Sequence, residues 1–106
     1  MTIQFNTDKN VKWDQRHDEH FNAVIAEELE RFSSYITRIE VHLSDENGPK
    51  EGVSDIRCLM EARLEGRQPT AVTAMGNSEE QAISFALGKL SAALKKIVDR
   101  MSEHKR

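Results

Sequence analysis

The sequence predicts a two-layer α+β domain of order β-α-β-β-β-α, with two helices packed on one face of a four-stranded mixed sheet. Three observations carry this. Apolar residues alternate with period two in four segments, they recur by threes and fours in two others, and turn-forming clusters separate the segments. At 106 residues the chain has the common size of one domain, so residues 1–106 are read as a single unit with one core and no room for a second.

Ile3 and Phe5 alternate with Thr2, Gln4 and Asn6, the period of a strand with one buried face. After the polar stretch Asp8, Lys9 and Asn10, apolar residues recur at Phe21, Val24, Ile25, Leu29 and Phe32, with Glu27, Glu28, Glu30 and Arg31 on other faces. That spacing predicts a helix from Asp14 or Asp18 to Ser33. Either aspartate suits its N-cap, because a carboxylate accepts hydrogen bonds from the free amides of a first turn.

From Ile36 the period returns to two, with Ile39, Val41 and Leu43 on one side and Arg38, Glu40, His42 and Ser44 on the other. A second strand follows, and the segment 45–52, rich in Asp, Asn and Gly, reads as an exposed loop. Alternation resumes with Ile56, Cys58, Met60, Ala62 and Leu64 against Arg57, Leu59, Glu61, Arg63 and Glu65, the third and longest strand. Gly66-Arg67-Gln68-Pro69 makes a hairpin turn into a fourth strand from Thr70 to Met75. Pro69 has no amide to give to a ladder, which places it at that strand's first position or on an edge.

Ser78-Glu79-Glu80-Gln81 has capping-box form and starts a second helix. Its stripe of Ile83, Leu87, Leu90, Leu94, Ile97 and Met101 carries it past residue 100, beyond the end of the sheet. A right-handed crossover through the first helix leaves strands one and two parallel, and the later strands pair as an antiparallel meander. Arg38, Glu40, His42, Arg57, Glu61 and Arg63 then face water, as one side of such a sheet tolerates. The chain holds no internal repeat, low-complexity tract or linker.

Composition narrows the function classes. A hydrophobic share of 38% with 31% charged residues belongs to a folded, soluble protein rather than a disordered one. No apolar run approaches the ~20 residues of a membrane span. Residues 1–6 have neither a basic leader nor an apolar stretch, so a cytoplasmic protein with no membrane partner is expected. Cys58 is the sole cysteine and reads as a small core hydrophobe. His17-Asp18-Glu19-His20 sets two imidazoles a helical turn apart, but no third ligand lies at ligand spacing and the order is not His-Glu-x-x-His, so no metal is expected. Without a glycine-rich phosphate loop, nucleophile elbow or convincing carboxylate pair, no catalytic residue, cofactor or enzyme activity is assigned.

The formal net charge of −3 hides an asymmetry. Residues 89–106 hold six basic side chains against Asp99 and Glu103, a net +4, whereas residues 1–88 hold nine basic and sixteen acidic ones, a net −7. One element thus carries an electrostatic footprint while the rest supplies solubility.

Ile36-Thr37-Arg38-Ile39-Glu40-Val41-His42-Leu43-Ser44, together with Ala82-Ile83, Lys89-Leu90 and Leu94-Lys95-Lys96, resembles the ribosome hibernation-promoting factor family, also labelled sigma-54 modulation proteins. The resemblance covers nearly the whole chain. It implies a fold like that of double-stranded RNA-binding domains and a non-catalytic inhibitor of translation, acting in resting or stressed cells. Such a protein would sit on small-subunit ribosomal RNA near the decoding region, in the path of messenger and transfer RNA. DNA is not expected as a partner. Some relatives carry an extra C-terminal dimerisation domain; this sequence has no place for it and resembles the short form.

Phosphate neutralisation then points to Lys89, Lys96 and Arg100, spaced i, i+7 and i+11 on the second helix, with Lys95, Lys105 and Arg106 widening the patch. The plain alternative is a solvated helix whose basic end complements its own dipole. Arg38, His42, Arg57 and Arg63 on the sheet are candidate secondary contacts, with ion pairs to the interleaved Glu40 and Glu61 as the competing reading. Phe5, Phe21, Phe32 and Phe85 are assigned to the core, and Trp13 and Tyr35 to its edges, so base stacking is not expected.

Two features motivate an alternative, a protein-interaction or regulatory module of the same fold that has lost ribosome binding. The first helix is acidic at Glu27, Glu28 and Glu30, and Ala92 stands where the family typically has an arginine. A small-molecule sensor or enzyme on this scaffold is a third reading, without a residue constellation to support it.

Overall fold

Residues 1–46 and 55–104 are described by a computed structural model. Their order is β1 (Thr2–Thr7), α1 (Gln15–Glu28), a 3-10 turn (Glu30–Phe32), β2 (Ile36–Asp45), β3 (Ile56–Leu64), β4 (Thr70–Gly76) and α2 (Glu79–His104). The sheet runs β1-β2-β3-β4. β1 pairs with β2 in parallel, as a crossover through α1 requires, and the other two pairings are antiparallel. The expected β-α-β-β-β-α sheet of mixed polarity is therefore what forms. Most of the loop expected at 45–52 lies outside the described residues.

Pairing register sorts the side chains. Ile39, Val41 and Leu43 of β2 and Ile56, Cys58, Met60, Ala62 and Leu64 of β3 are buried beneath the helices. Phe21, Ile25 and Leu29 from the α1 segment and Ile83, Leu87, Leu90 and Leu94 from α2 close the same cluster. The register slips between Ile36 and Arg38, and this bulge lets Ile36 and Ile39, three positions apart, both turn into the core.

α1 stops earlier than its apolar spacing predicts. The helix ends at Glu28, and Phe32 reaches the core from the tighter 3-10 turn. Val24, which the spacing places on the buried stripe, is exposed, while Val11 in the preceding loop is buried. Asp14 rather than Asp18 is the cap. Its carboxylate accepts from the amides of Arg16 (2.9 Å) and His17 (3.3 Å), and His17 Nδ1 accepts from the Asp14 amide at 3.0 Å. The Arg16 guanidinium and then the His17 amide hold the Asp14 carboxyl below its ordinary value. Asp18 instead accepts from the Trp13 indole N–H, and that ring stacks on His17 and Phe21 and meets Phe5 at a tilt at the core's edge.

α2 begins as its first four residues suggest, with one change. Ser78 Oγ accepts from the Gln81 amide at 3.1 Å, but the Gln81 side chain reaches back to the amide of Asn77, one residue before the usual box partner. Ser78→Ala leaves the first turn of α2 without that acceptor. Thermal or chemical unfolding is expected to show a loss of about 1 kcal/mol. Toward its other end Ile97, Val98 and Met101 are only half-buried, as expected of a helix that runs past the sheet.

Candidate RNA interface

α2 alone decides how its basic residues are displayed. At ~100° of rotation per residue, Lys89, Lys96 and Arg100 fall within an arc of about 40° on the flank of α2 beside the β4 edge. All three are exposed. Among the described residues none is paired with a carboxylate. Lys89 Nζ donates to the Thr73 carbonyl of β4 at 2.8 Å. That bond fixes the ammonium at the sheet's edge and leaves its charge uncompensated.

Lys95 does not join them. Roughly 120° farther round the helix, it donates to the Asp99 carboxylate at 2.9 Å, so the local charge there is cancelled. The pair is exposed on both sides, so Lys95 is set apart from the other three by its position round the helix and by its carboxylate neighbour. Lys105 and Arg106 lie outside the described residues.

On the open sheet face the sequence left ion pairing and phosphate contact as competing readings, and in the structure two of the three arginines are ion-paired. Glu40 Oε2 stands 3.0 Å from Arg38 Nη2 and 3.1 Å from Arg63 Nε, and Glu40 Oε1 is 3.6 Å from His42 Nε2. The Arg63 Nε–H is directed at Glu61 Oε1, 3.2 Å away. With its side chain only 12% exposed, Glu40 is the hub of these contacts, while the side chains of Arg38, His42 and Arg63 stay about half exposed. Arg57 has no carboxylate partner among the described residues. It faces the same side beside Leu59, an apolar residue there that is only partly covered.

Phe85 overturns its assignment to the core: it is 52% exposed on α2. Five residues from Leu90, it falls off the buried stripe, and the helical period that placed Ile83 and Leu87 inside was the signal that could have found it. Phe5 is half-buried, and Phe21 and Phe32 are buried, as is Cys58.

Burial without a compensating charge pushes the Cys58 thiol up to about 12. A thiol-alkylating reagent near neutral pH is therefore expected to leave Cys58 unmodified in the folded protein and to label it once denaturant opens the core. Labelling at the same rate in both states would contradict this placement. Among the described residues no three His, Cys, Asp or Glu side chains converge as metal ligands, and His17 is engaged in the α1 cap. No helix among them is long and apolar enough to cross a membrane.

The family model described as sigma 54 modulation protein / S30EA ribosomal protein matches residues 7–102. Among solved structures, a ribosomal subunit interface protein from Coxiella burnetii is similar with a TM-score of 0.69 and 16% identity, over 93% of this chain and 99% of that one. The N-terminal domain of Thermus thermophilus Protein Y is similar with a TM-score of 0.62 and 16% identity, over 91% of this chain and 94% of that one. Both likenesses concern the fold. No curated protein sequence matches the chain.

Proposed function

The chain belongs to the sigma 54 modulation protein / S30EA ribosomal protein family, and from that premise we propose that it is a non-catalytic, ribosome-associated inhibitor of translation that occupies small-subunit ribosomal RNA near the decoding region. The fold it shares with a ribosomal subunit interface protein supports this reading. One observation carries it: Lys89, Lys96 and Arg100 stand in line on α2 with no carboxylate among the described residues to satisfy them. A polyanion supplies what they lack, and each phosphate neutralised releases condensed counterions. The sheet's Arg38 and Arg63 are already engaged by Glu40 and Glu61, so in this reading they contribute little and Arg57 is the sheet's main candidate.

Cosedimentation with purified small subunits tests it. The protein is expected to travel with the subunits at low salt and to be released as salt rises, its log affinity falling linearly with log salt. Absence of binding at every salt concentration would overturn the proposal.

A second reading, a regulatory or protein-interaction module that has lost the ribosome, is favoured by the exposed acidic residues Glu27, Glu28 and Glu30 and by the exposed Ala92. It requires a protein partner whose capture is indifferent to the charges on α2.

A further inference from the structure

We infer that Phe85 is a base-stacking residue at one end of the α2 cationic flank, and that the ligand of this flank is RNA with unpaired, accessible bases rather than a regular duplex. The inference rests on the RNA-binding reading above and specifies its substrate. Phe85 is the most exposed large hydrophobic residue of the described chain, and no ring or cation packs on it among the described residues. A solitary exposed phenylalanine is unremarkable on an acidic or neutral surface. Here it lies one helical turn before Lys89, and Phe85, Lys89, Lys96 and Arg100 share an arc of about 60° along ~22 Å of helix.

The surface beside this ring is low. Ser84, Gly88 and Ala92 are all exposed, and a Cβ built on Gly88 would meet no heavy atom within 4 Å. Small side chains there leave the ring's surroundings open to a flat group arriving with a negatively charged backbone. A base offers the flat group and its phosphates offer the charge. The combination of a π-face with a line of cations that have no carboxylate partner among the described residues is what single-stranded nucleic acid requires, whereas a regular duplex keeps its base faces stacked and would use the cations alone.

The test uses two probes of equal charge, a short single-stranded oligoribonucleotide carrying 2-aminopurine and its abasic counterpart, bound to the full chain at low salt. Wild-type protein is expected to prefer the base-bearing probe about tenfold and to quench its fluorescence. Phe85→Leu should lose that preference and the quenching while binding the abasic probe as before, and Phe85→Trp should keep both. Because Phe85 is exposed, neither change endangers the fold. Equal binding of the two probes by wild type, or Phe85→Leu behaving as wild type, would overturn the stacking role and leave the phosphate-binding reading standing. Failure of wild type to bind either probe would remove both.

Discussion

Replacing Lys89, Lys96 and Arg100 together by Glu is expected to abolish cosedimentation with small subunits, lowering affinity at low salt by about a hundredfold or more. Three attractions to phosphate vanish and three repulsions replace them. The slope of log affinity against log salt should shrink by roughly 2–3, one step for each phosphate that is no longer neutralised. The fold should survive, since the three side chains are exposed and only Lys89 makes a bond elsewhere in the chain, to the Thr73 carbonyl. Unfolding midpoints within a few degrees of wild type would confirm that the loss is electrostatic. The same reversal at Lys95 should matter less, because Lys95 lies roughly 120° round the helix from the other three and already has Asp99 beside it. A variant that lost the ribosome yet still captured a protein partner unchanged would favour the interaction-module reading instead.

Gly76→Ala is expected to give the largest loss of stability from a single methyl group. Gly76 ends β4 where α2 begins, and a Cβ there would lie 2.5 Å from the Ala82 amide nitrogen and 3.0 Å from both Ala82 Cα and the Gln81 carbonyl carbon. These are backbone atoms, so no side chain can swing aside. The first turn of α2, with its Ser78 and Gln81 cap, has to move instead. Overpacking of this kind costs about 2–3 kcal/mol, occasionally more. In a domain of this size that lowers the melting temperature by roughly 10 °C or more. Gly88→Ala is the matched control: its added methyl meets nothing within 4 Å, and the better helix former should raise stability by up to ~1 kcal/mol. An unchanged midpoint for Gly76→Ala would show that α2 is not seated on β4 as closely as described.

Elements whose residues obey a single period were legible from the amino-acid order. Ile39, Val41 and Leu43 turn inward because a strand alternates, and Leu87, Leu90 and Leu94 do so because a helix returns every three to four residues. What stayed hidden depends on neighbours distant in sequence or on a break in the period. The slip at Thr37 rephases β2 against β3, and no local pattern announces it. Val11 is buried although it sits in a polar loop, a position that only the assembled tertiary structure creates. Asp14 rather than Asp18 caps α1, and Asp18 accepts instead from the Trp13 indole N–H, a partner that the helical period does not announce.

The candidate site divides in the same way. The line of Lys89, Lys96 and Arg100 could be read from their spacing, because helical geometry alone aligns them. The hub at Glu40 could not, since Arg38 and Arg63 belong to different strands and only their adjacent register brings both guanidiniums to one carboxylate. That hub explains how sheet arginines can be numerous and still offer little free charge. Among the described residues, Lys9, Lys12, Arg31, Arg57 and Arg67 also lack a carboxylate partner but lie in separate loops, turns and strands, whereas Lys89, Lys96 and Arg100 share one line on α2.

A site-directed crosslinking comparison on the small subunit most directly tests whether that flank is what meets ribosomal RNA. Cys58 is buried and its thiol is pushed up to about 12, so a single introduced cysteine carries the crosslinker selectively. Ala92→Cys places it on the exposed outer surface of α2, and Ala71→Cys places it on the open sheet face, opposite Glu61. The expected result is covalent attachment to small-subunit ribosomal RNA from position 92 and little or none from position 71. Attachment from position 71 with none from position 92 would contradict it, moving the interface from the helix to the sheet.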